Sequence, residues 1–250
     1  MAESGVFADH FSARAAGYAQ YRPGYPTELF AYLAGISPAR DAMWDCATGS
    51  GQAARQFCDY FDTVIASDAS AAQVSKAARS PRLYYLSSLA EQTPFHAQSF
   101  DLISVAQALH WFELERFYSE VRRLLKPHGV LAVWTYGLMH ITPPIDAIVN
   151  HLYKDVVGPY WPFERRLVEN GYRDLAFPLN ELAPPSFAMR ADWSIDHLLG
   201  YLSTWSAVKR YMQDRQVDPV QQIQHELISA WGNQATRTVN WPLALRVGTH

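Results

Sequence analysis

A glycine-rich turn that follows an acidic residue is the strongest chemical signal in the sequence. Asp45 precedes the run Ala47-Thr48-Gly49-Ser50-Gly51, and a helix is predicted from Gln52. Small residues let a ligand approach the backbone closely, and amides at a helix N-terminus favour an anionic group such as a phosphate or a carboxylate. Ordinary strand-to-helix loops also use glycine, so the turn alone does not identify a ligand.

A second acidic residue, Asp68, ends the next predicted strand, about 20 residues beyond the glycines. A carboxylate at that position can accept both hydroxyls of a ribose. The alternative is that Asp68 only caps a helix that begins at Ala69 or Ser70. Taken together, the turn and Asp68 favour a ligand with a nucleoside part.

The residues around the turn distinguish between nucleoside cofactors. A dinucleotide site reads Gly-x-Gly-x-x-Gly, whereas this chain has Ala47 at the start of the loop and Ala54 where the third glycine would fall after Gly49 and Gly51. Asp45 would repel a pyrophosphate but can hold a cationic amino group. A ligand that combines a ribose, no pyrophosphate and an amino-acid end is S-adenosylmethionine. The pattern therefore favours methyl transfer over the alternative, a nicotinamide-dependent oxidoreductase.

His110 and Trp111 follow the fourth predicted strand, at the sheet edge where substrates bind in open α/β folds. His110 is the candidate catalytic residue, either as a general base or as a hydrogen-bond donor that positions the acceptor. The alternative is a helix-entry residue whose polar atoms bond to the backbone. A set of later aromatic residues could wall an acceptor pocket, although ordinary core packing is the favoured interpretation: Tyr160, Trp161, Trp193, Tyr201 and Trp205.

Alternating strands and helices must position these residues. Apolar strands are predicted at 42–45, 63–67, 83–86, 100–106 and 130–134, and the helix 114–125 is separated from the last of them by Lys126-Pro127-His128-Gly129. Such strands form a parallel sheet that is buried on both faces. Beyond Pro143 the pattern is mainly helical, with a weak strand at 187–193 and a good one at 237–246.

We therefore predict an α/β fold with a doubly wound, mostly parallel sheet of seven strands and a helical insertion late in the chain. The predicted division is a cofactor-binding core with an N-terminal lid over 1–140, an insertion or cap on the acceptor side over 141–236, and a terminal strand over 237–250.

Composition limits the partners. The net charge is −3, with 21 basic and 24 acidic residues, and the longest basic runs are pairs. No polybasic stripe could follow a nucleic acid, no apolar run is long enough for a membrane helix, and the N-terminus lacks the pattern of a signal peptide. The two cysteines have no metal-site or disulfide spacing. We expect a cytoplasmic monomer or homodimer that binds no metal, nucleic acid or membrane.

Motifs spread over residues 7–136 resemble the class I S-adenosylmethionine-dependent methyltransferases, and are most similar to the subgroup of trans-aconitate methyltransferase-like proteins. The motifs that carry the resemblance are Tyr18-Ala19-Gln20-Tyr21-Arg22-Pro23-Gly24-Tyr25-Pro26, Asp45 to Gln52, Ser67-Asp68-Ala69-Ser70, Leu89-Ala90-Glu91, Ala106-Gln107-Ala108-Leu109-His110-Trp111-Phe112 and Leu124-Leu125-Lys126-Pro127-His128-Gly129. The resemblance implies a Rossmann-like methyltransferase fold and methyl transfer to a small molecule, with a carboxylic acid as one candidate acceptor. A protein that binds the cofactor without catalysis is the alternative.

The resemblance also implies roles for individual residues. The methionine part of the cofactor would lie against Asp45, Ala47, Thr48, Gly49 and Gly51, and its carbons would face Ala106 and Gln107. Asp68 would bind the ribose, whereas Ala69, Ala90 and Glu91 would lie near the adenine. Tyr18 and Arg22 would belong to the lid over the cofactor. The chain departs from the family pattern in having Ala47 for the commonest first glycine and Leu89 where many relatives have an adenine-binding acid.

Overall fold

Five strands from the first half of the chain form one parallel sheet. They are β1 (Ala42–Cys46), β2 (Thr63–Asp68), β3 (Leu83–Ser87), β4 (Phe100–Ala106) and β5 (Leu125–Tyr136). Their spatial order is β3-β2-β1-β4-β5, and every neighbouring pair is parallel. The near-continuous apolar strands are therefore explained by a sheet that is covered on both faces.

The structure is a computed structural model that describes residues 23–250, so the predicted lid residues Tyr18 and Arg22 lie outside the described residues. Helices α1 (Thr27–Ile36), α2 (Gln52–Phe57), α3 (Ala71–Lys76) and α4 (Leu114–Leu124) belong to the parallel half, with a short 3₁₀ turn at Leu109–Trp111. Successive strand residues point to opposite faces. Met43 accordingly lies in one buried cluster, while Trp44 lies in the other with Phe117 of α4.

The second half of the chain adds helices and three further strands. The helices are α5 (Pro143–His151), α6 (Arg165–Glu169), α7 (Ile195–Ser203), α8 (Ser206–Arg215) and α9 (Pro219–Trp231), with a π turn at Leu152–Val156 and a 3₁₀ turn at Gly158–Tyr160. The strands are β6 (Asn180–Leu182), β7 (Phe187–Trp193) and β8 (Arg237–Thr249). β8 runs antiparallel to β5, and both β6 and β7 pair with β8.

The predicted fold class is confirmed, with one strand more than the seven expected. Both late strand candidates form, and β8 extends three residues beyond its predicted end at Arg246. The additional strand is β6, whose three residues are all exposed. Because it is short and carries no alternation of buried and exposed side chains, the sequence offered no strand signal there.

The predicted break between α4 and β5 is wrong. α4 ends at Leu124 and β5 begins at Leu125, so Lys126–Gly129 belongs to the strand instead of separating it from the helix. The irregular residues are accommodated by a shift of register between Phe100 and Leu102, and by a positive φ of 62° at His128. A β-bulge of this kind absorbs residues that would otherwise need a loop.

Most of the late aromatic residues are core residues, as the favoured interpretation expected. Trp193, Tyr201 and Trp205 are buried in the cluster that also contains Trp241 of β8. Trp193 and Trp241 have ring centroids 4.7 Å apart in an edge-to-face arrangement. Within the described residues, no helix is both long enough and apolar enough to cross a bilayer.

The turn after α6 is held tightly against β8. Gly171 and Tyr172 both have left-handed backbone, with φ of 62° and 61°. Arg246 of β8 donates from Nη1 to the carbonyl oxygens of Tyr172 and Leu175, both at 2.7 Å, and forms an ion pair with Glu181 of β6. Left-handed backbone at a residue with a Cβ is strained, and these contacts hold Tyr172 in it.

Replacement of Gly171 by alanine tests how closely this turn approaches β8. A Cβ at Gly171 would lie 2.7 Å from the Cβ of Ala244, in addition to the strain of its φ. We expect Gly171→Ala to lower the free energy of unfolding by about 1–3 kcal/mol. The control is Gly35→Ala in α1, where a Cβ meets nothing within 4 Å. That change should stabilise the helix by roughly 0.5–1 kcal/mol. Urea unfolding of both variants is the measurement, and equal stabilities would contradict the close approach.

Candidate active site

The predicted site residues meet at one edge of the sheet. Asp45, Asp68 and Ala106 stand at or next to the carboxyl ends of β1, β2 and β4, and Thr135 stands near the end of β5. These strands are parallel neighbours, so their carboxyl ends must lie side by side. The sheet topology thus brings together residues that are up to 90 positions apart in the sequence.

The Asp45 carboxylate is buried between β1 and β4, with only 1% of the residue exposed. It accepts hydrogen bonds from the Ser104 hydroxyl at 2.6 Å and from the Thr48 hydroxyl at 2.5 Å. Burial raises the pKa of Asp45 to about 6, and the nearby negative charge of Asp68 also raises it, although the hydrogen bonds oppose the shift. A cationic group next to Asp45 would relieve both effects.

The glycine-rich turn has a left-handed backbone at Ala47, Gly49 and Gly51, with φ of 54°, 57° and 78°. Glycine adopts this conformation without strain, whereas Ala47 does not. This left-handed conformation explains why glycine would be favoured at position 47. Ala47 adopts it nevertheless. A Cβ at Gly51 would overlap the Tyr85 phenol oxygen, so packing as well as φ favours glycine there.

Three amides of the turn already donate within the protein. The N–H of Thr48 donates to the Ser67 carbonyl, that of Gly49 to Asp68 Oδ2, and that of Gly51 to the Thr48 carbonyl, each at 2.9 Å. These amides are consequently occupied in closing the turn. With Asp45 and Asp68 on either side, the turn suits a cationic or uncharged group better than the phosphate that glycine-rich turns often hold.

Asp68 connects the turn to the start of α3. Its Oδ2 accepts from Gly49 N and its Oδ1 accepts from Ser70 N, both at 2.9 Å. The helix cap predicted as its alternative role belongs to Ser70, whose side chain accepts from Gln73 N at 3.4 Å.

The three residues predicted near an adenine lie on two neighbouring loops. Ala69 follows β2, and its carbonyl accepts from the Ser87 hydroxyl at 3.4 Å. Ala90 is buried, and the Glu91 carboxylate accepts from the backbone N–H of Glu113 at 3.0 Å. Glu113 caps the N-terminus of α4, where an acidic group is favourable. Glu91 therefore has a structural contact whatever else it binds.

Gln107 is held rigidly by the end of β5. Its backbone is left-handed with φ of 59°. Its side-chain amide donates to the Tyr136 carbonyl at 3.0 Å, while its Oε1 accepts from Tyr136 N at 3.1 Å and from the Thr135 hydroxyl. Strained, over-determined residues cluster at functional sites, and Gln107 and Ala47 are two such residues on adjacent strand ends.

His110 follows Gln107 by three residues and contacts the turn after α6. Its Nδ1 is 2.9 Å from the Tyr172 hydroxyl, and the two rings stack with centroids 6.0 Å apart. Burial, together with the positive charge of Arg165, lowers the pKa of His110 to about 3. The side chain is thus neutral at physiological pH and is a weak base. Its Nδ1 bonds to a side chain, in contrast to the backbone-satisfied alternative.

Arg165, at the start of α6, is the cation that acts on His110. Its Nε donates to the Tyr153 hydroxyl at 2.7 Å, and that hydroxyl donates to Glu169 at 2.5 Å. The guanidinium carbon lies 4.9 Å from the ring centroid of Trp161 and 5.4 Å from that of Tyr153. Among residues 23–250, Arg165 forms no ion pair with a carboxylate, and its two terminal nitrogens make no hydrogen bond.

Sequence reasoning missed Arg165, Tyr172 and Thr135. Arg165 is one of two adjacent basic residues, Arg165 and Arg166, which have no further pattern, and Thr135 lies just beyond the strand predicted at 130–134. Tyr172 did carry a signal: it follows Asn170-Gly171, a pair typical of a helix C-terminus. That signal predicts where the chain turns, but not that the next side chain reaches His110.

Comparison with known proteins identifies the family. A family profile described as "Methyltransferase domain" matches residues 44–133. A Dictyostelium discoideum protein named "Putative methyltransferase" is 33% identical over 245 residues, covering 95% of this chain and 93% of that protein. A solved structure titled as a "Putative Type II Methyltransferase" from Anaeromyxobacter dehalogenans is 42% identical with a TM-score of 0.87, covering 91% of this chain and 97% of that one.

The chain therefore belongs to the methyltransferase family, and it is a methyltransferase of the S-adenosylmethionine-dependent class I fold type. A Saccharomyces cerevisiae protein named "Probable S-adenosylmethionine-dependent methyltransferase" is a more distant relative. It is 23% identical over 240 residues, and the match covers 82% of each chain. The predicted family is confirmed, and the predicted subgroup stays a prediction. Membership of this family argues against the alternative of a nicotinamide-dependent oxidoreductase.

The buried Asp45 should leave a signature in the pH dependence of stability. A folded-state pKa of about 6 against an ordinary value of 3.8 means that the folded chain holds this proton more tightly than the unfolded chain. The free energy of unfolding should then fall as pH rises from 4 to 6, by up to roughly 3 kcal/mol from this group. Asp45→Asn should remove that component.

The measurement is urea unfolding of both proteins between pH 4 and pH 8. The lowered pKa values of Glu120 and Glu181 act in the opposite direction, so the informative quantity is the difference between Asp45→Asn and the parent protein. A difference that stays constant over this range would show that Asp45 ionises normally.

Proposed function

We propose that this protein transfers the methyl group of S-adenosylmethionine to a small molecule that carries a carboxylate. The residues at the carboxyl edge fit the cofactor by their donor set. Asp45 would face its ammonium group and Asp68 its ribose, while Ala47, Thr48, Gly49 and Gly51 would lie along its methionine part. Ala106 and Gln107 would complete that side, and Ala69, Ala90 and Glu91 would border the adenine.

The charge pattern supports this cofactor over one with phosphates. Asp45 and Asp68 repel each other, as the effect of Asp68 on the pKa of Asp45 shows. A ligand with a positive charge at Asp45 relieves that repulsion, whereas a pyrophosphate would add to it. The yeast relative's name supports the same cofactor.

The acceptor side of the proposal depends on one observation, the environment of Arg165. Arg165 is half-buried, and its terminal nitrogens find no protein acceptor among residues 23–250, so their donors are available to a ligand. A carboxylate is the group that matches its planar pair of donors. Arg165 also lowers the pKa of His110 through its positive charge, so the cation lies near the candidate catalytic residue.

The state of His110 supports the same acceptor class. Methylation of a hydroxyl needs a base to remove its proton, and a histidine with a pKa of about 3 is poorly matched to that role near neutral pH. A carboxylate needs no base, because its ionised oxygen can attack directly. We propose that His110 acts as a hydrogen-bond donor that positions the acceptor, and that residues 141–236 form the acceptor side.

Asp68 provides the test of the cofactor half of the proposal. We expect Asp68→Asn to weaken binding of S-adenosylhomocysteine by about 10- to 100-fold, since a charge-assisted hydrogen bond contributes about 1.5–3 kcal/mol. Isothermal titration calorimetry gives the affinity, with circular dichroism to check folding. The control is Asp59→Asn, because Asp59 is an exposed carboxylate just after α2. We expect this variant to bind S-adenosylhomocysteine with the affinity of the parent protein. Unchanged affinity in a folded Asp68→Asn protein would assign Asp68 to turn closure alone.

Arg165 provides the test of the acceptor half. Release of S-adenosylhomocysteine should be detectable with a panel of small carboxylic acids and absent with their amides. Arg165→Met keeps an apolar stem over Trp161 but removes the cation, so we expect KM for the acid to rise about 10- to 100-fold, the loss of a charge-assisted pair. The affinity for S-adenosylhomocysteine should not change.

Arg166→Met is the matched control for Arg165. Arg166 is exposed, with its guanidinium carbon 3.5 Å from the centroid of the Phe163 ring, and has the same length and charge. Its replacement should leave KM unaltered. Equal effects of the two replacements, or equal turnover of acids and amides, would contradict a carboxylate site at Arg165.

A further inference from the structure

The side chain of Tyr172 joins the insertion to the methyltransferase core. It is completely buried, and its hydroxyl lies 2.9 Å from His110 Nδ1. The backbone that delivers it is strained and is held from behind by Arg246 of β8. A residue kept in a costly conformation by surrounding contacts is a candidate for a role beyond packing.

The protonation states of the two rings are determined by their surroundings. Burial raises the pKa of the Tyr172 phenol, so it keeps its proton, and the lowered pKa of His110 keeps the imidazole neutral. A neutral imidazole carries one proton, on either Nδ1 or Nε2. The direction of the bond between the phenol and Nδ1 therefore decides which nitrogen of His110 is the donor.

The other groups around the phenol indicate that direction. The Thr135 side chain and the backbone amides of Leu109 and His110 interact with the phenol oxygen and lower its pKa, as donors do. Because these donors already occupy the phenol oxygen, we expect the phenol to donate its own proton. His110 Nδ1 lies at hydrogen-bonding distance and can accept it.

We propose that Tyr172 is a positioning residue that donates to His110 Nδ1 and so fixes the imidazole with its proton on Nε2. Within residues 23–250, Nε2 makes no hydrogen bond, so this proton is available to an acceptor molecule. The role of His110 towards an acceptor rests on the proposed function, whereas the tautomer does not. His110 would then donate to the acceptor carboxylate and would accept no proton during the reaction.

The bond changes in the proposed reaction agree with His110 acting as a hydrogen-bond donor. The attacking carboxylate oxygen forms the new C–O bond, the S–C bond breaks with its electron pair going to sulfur, and no proton changes place. Tyr172 affects the rate only by holding the His110 ring, and a displacement of about 1 Å at such a group can cost about 100-fold in rate.

Nuclear magnetic resonance of the histidine side chains tests the tautomer directly. The full-length protein is labelled with ¹⁵N-histidine, and the His110 signals are assigned by their loss in His110→Gln. We expect the ¹⁵N shifts of a neutral ring protonated on Nε2, unchanged between pH 5 and pH 8. In Tyr172→Phe we expect a mixture of tautomers of an imidazole that stays neutral, because burial and the charge of Arg165 are unchanged. A ring protonated on Nδ1 in the parent protein would overturn the proposal.

Tyr118→Phe is the matched control. Tyr118 lies in the same buried cluster, its hydroxyl donates to the Ala176 carbonyl at 2.9 Å, and burial raises its pKa to about 12. Its replacement removes a buried phenol hydroxyl next to the same segment without touching His110. We expect Tyr118→Phe to lower stability but to leave the His110 spectrum unchanged. An identical His110 spectrum in Tyr172→Phe would overturn the proposal.

Kinetics separate this proposal from the proposed function. With an acid that serves as acceptor, Tyr172→Phe should reduce kcat about 10- to 100-fold, whereas Tyr118→Phe should keep the kcat of the parent. If no acid is methylated, the acceptor class is wrong, while the spectra still decide the tautomer. An unchanged kcat in Tyr172→Phe would overturn the positioning role.

Discussion

Parallel pairing of β1 with β2 and β4 is the constraint on which the site depends. It places the ends of these strands side by side, so that acids widely separated in sequence share one edge. The same arrangement surrounds Asp45 with β4 and with the turn that follows β1, which deprives its carboxylate of water and raises its pKa. The electrostatics of the site are thus a consequence of the sheet and not of Asp45 alone.

Backbone strain is concentrated where the strands end. Ala47 and Gln107 have left-handed φ values although neither is glycine. Gln107 is held by three hydrogen bonds to two adjacent residues of β5. Rigid packing of this kind lets a site hold a ligand without reorganising.

The sequence was informative where chemistry and local pattern coincide. Asp45, the glycines and Asp68 could be predicted because strand ends and turns have local signatures, whereas Gln107 was named only because the chain resembles the methyltransferases. Arg165 and Tyr172 were not found, because their roles arise from contacts with no local signature. His110 and Tyr172 are 62 positions apart and meet only through the packing of a five-residue helix. The start of β5 was missed for a related reason, since tertiary pairing with Phe100 overrides the helix-breaking residues.

The anchoring of Tyr172 by Arg246 has a consequence for how the protein folds. The two residues are 74 positions apart, and Arg246 lies on a strand whose three partners are also distant in sequence. Contacts of such separation are slow to form, because the intervening chain must first be ordered. The carboxyl edge of the sheet, where we propose that the cofactor binds, is formed by strand pairings among residues 42–136. The contact between His110 and Tyr172 also requires β8, because Arg246 of that strand anchors Tyr172. During refolding, cofactor binding should therefore be regained before methyl transfer, with docking of the last strand as the step that separates them.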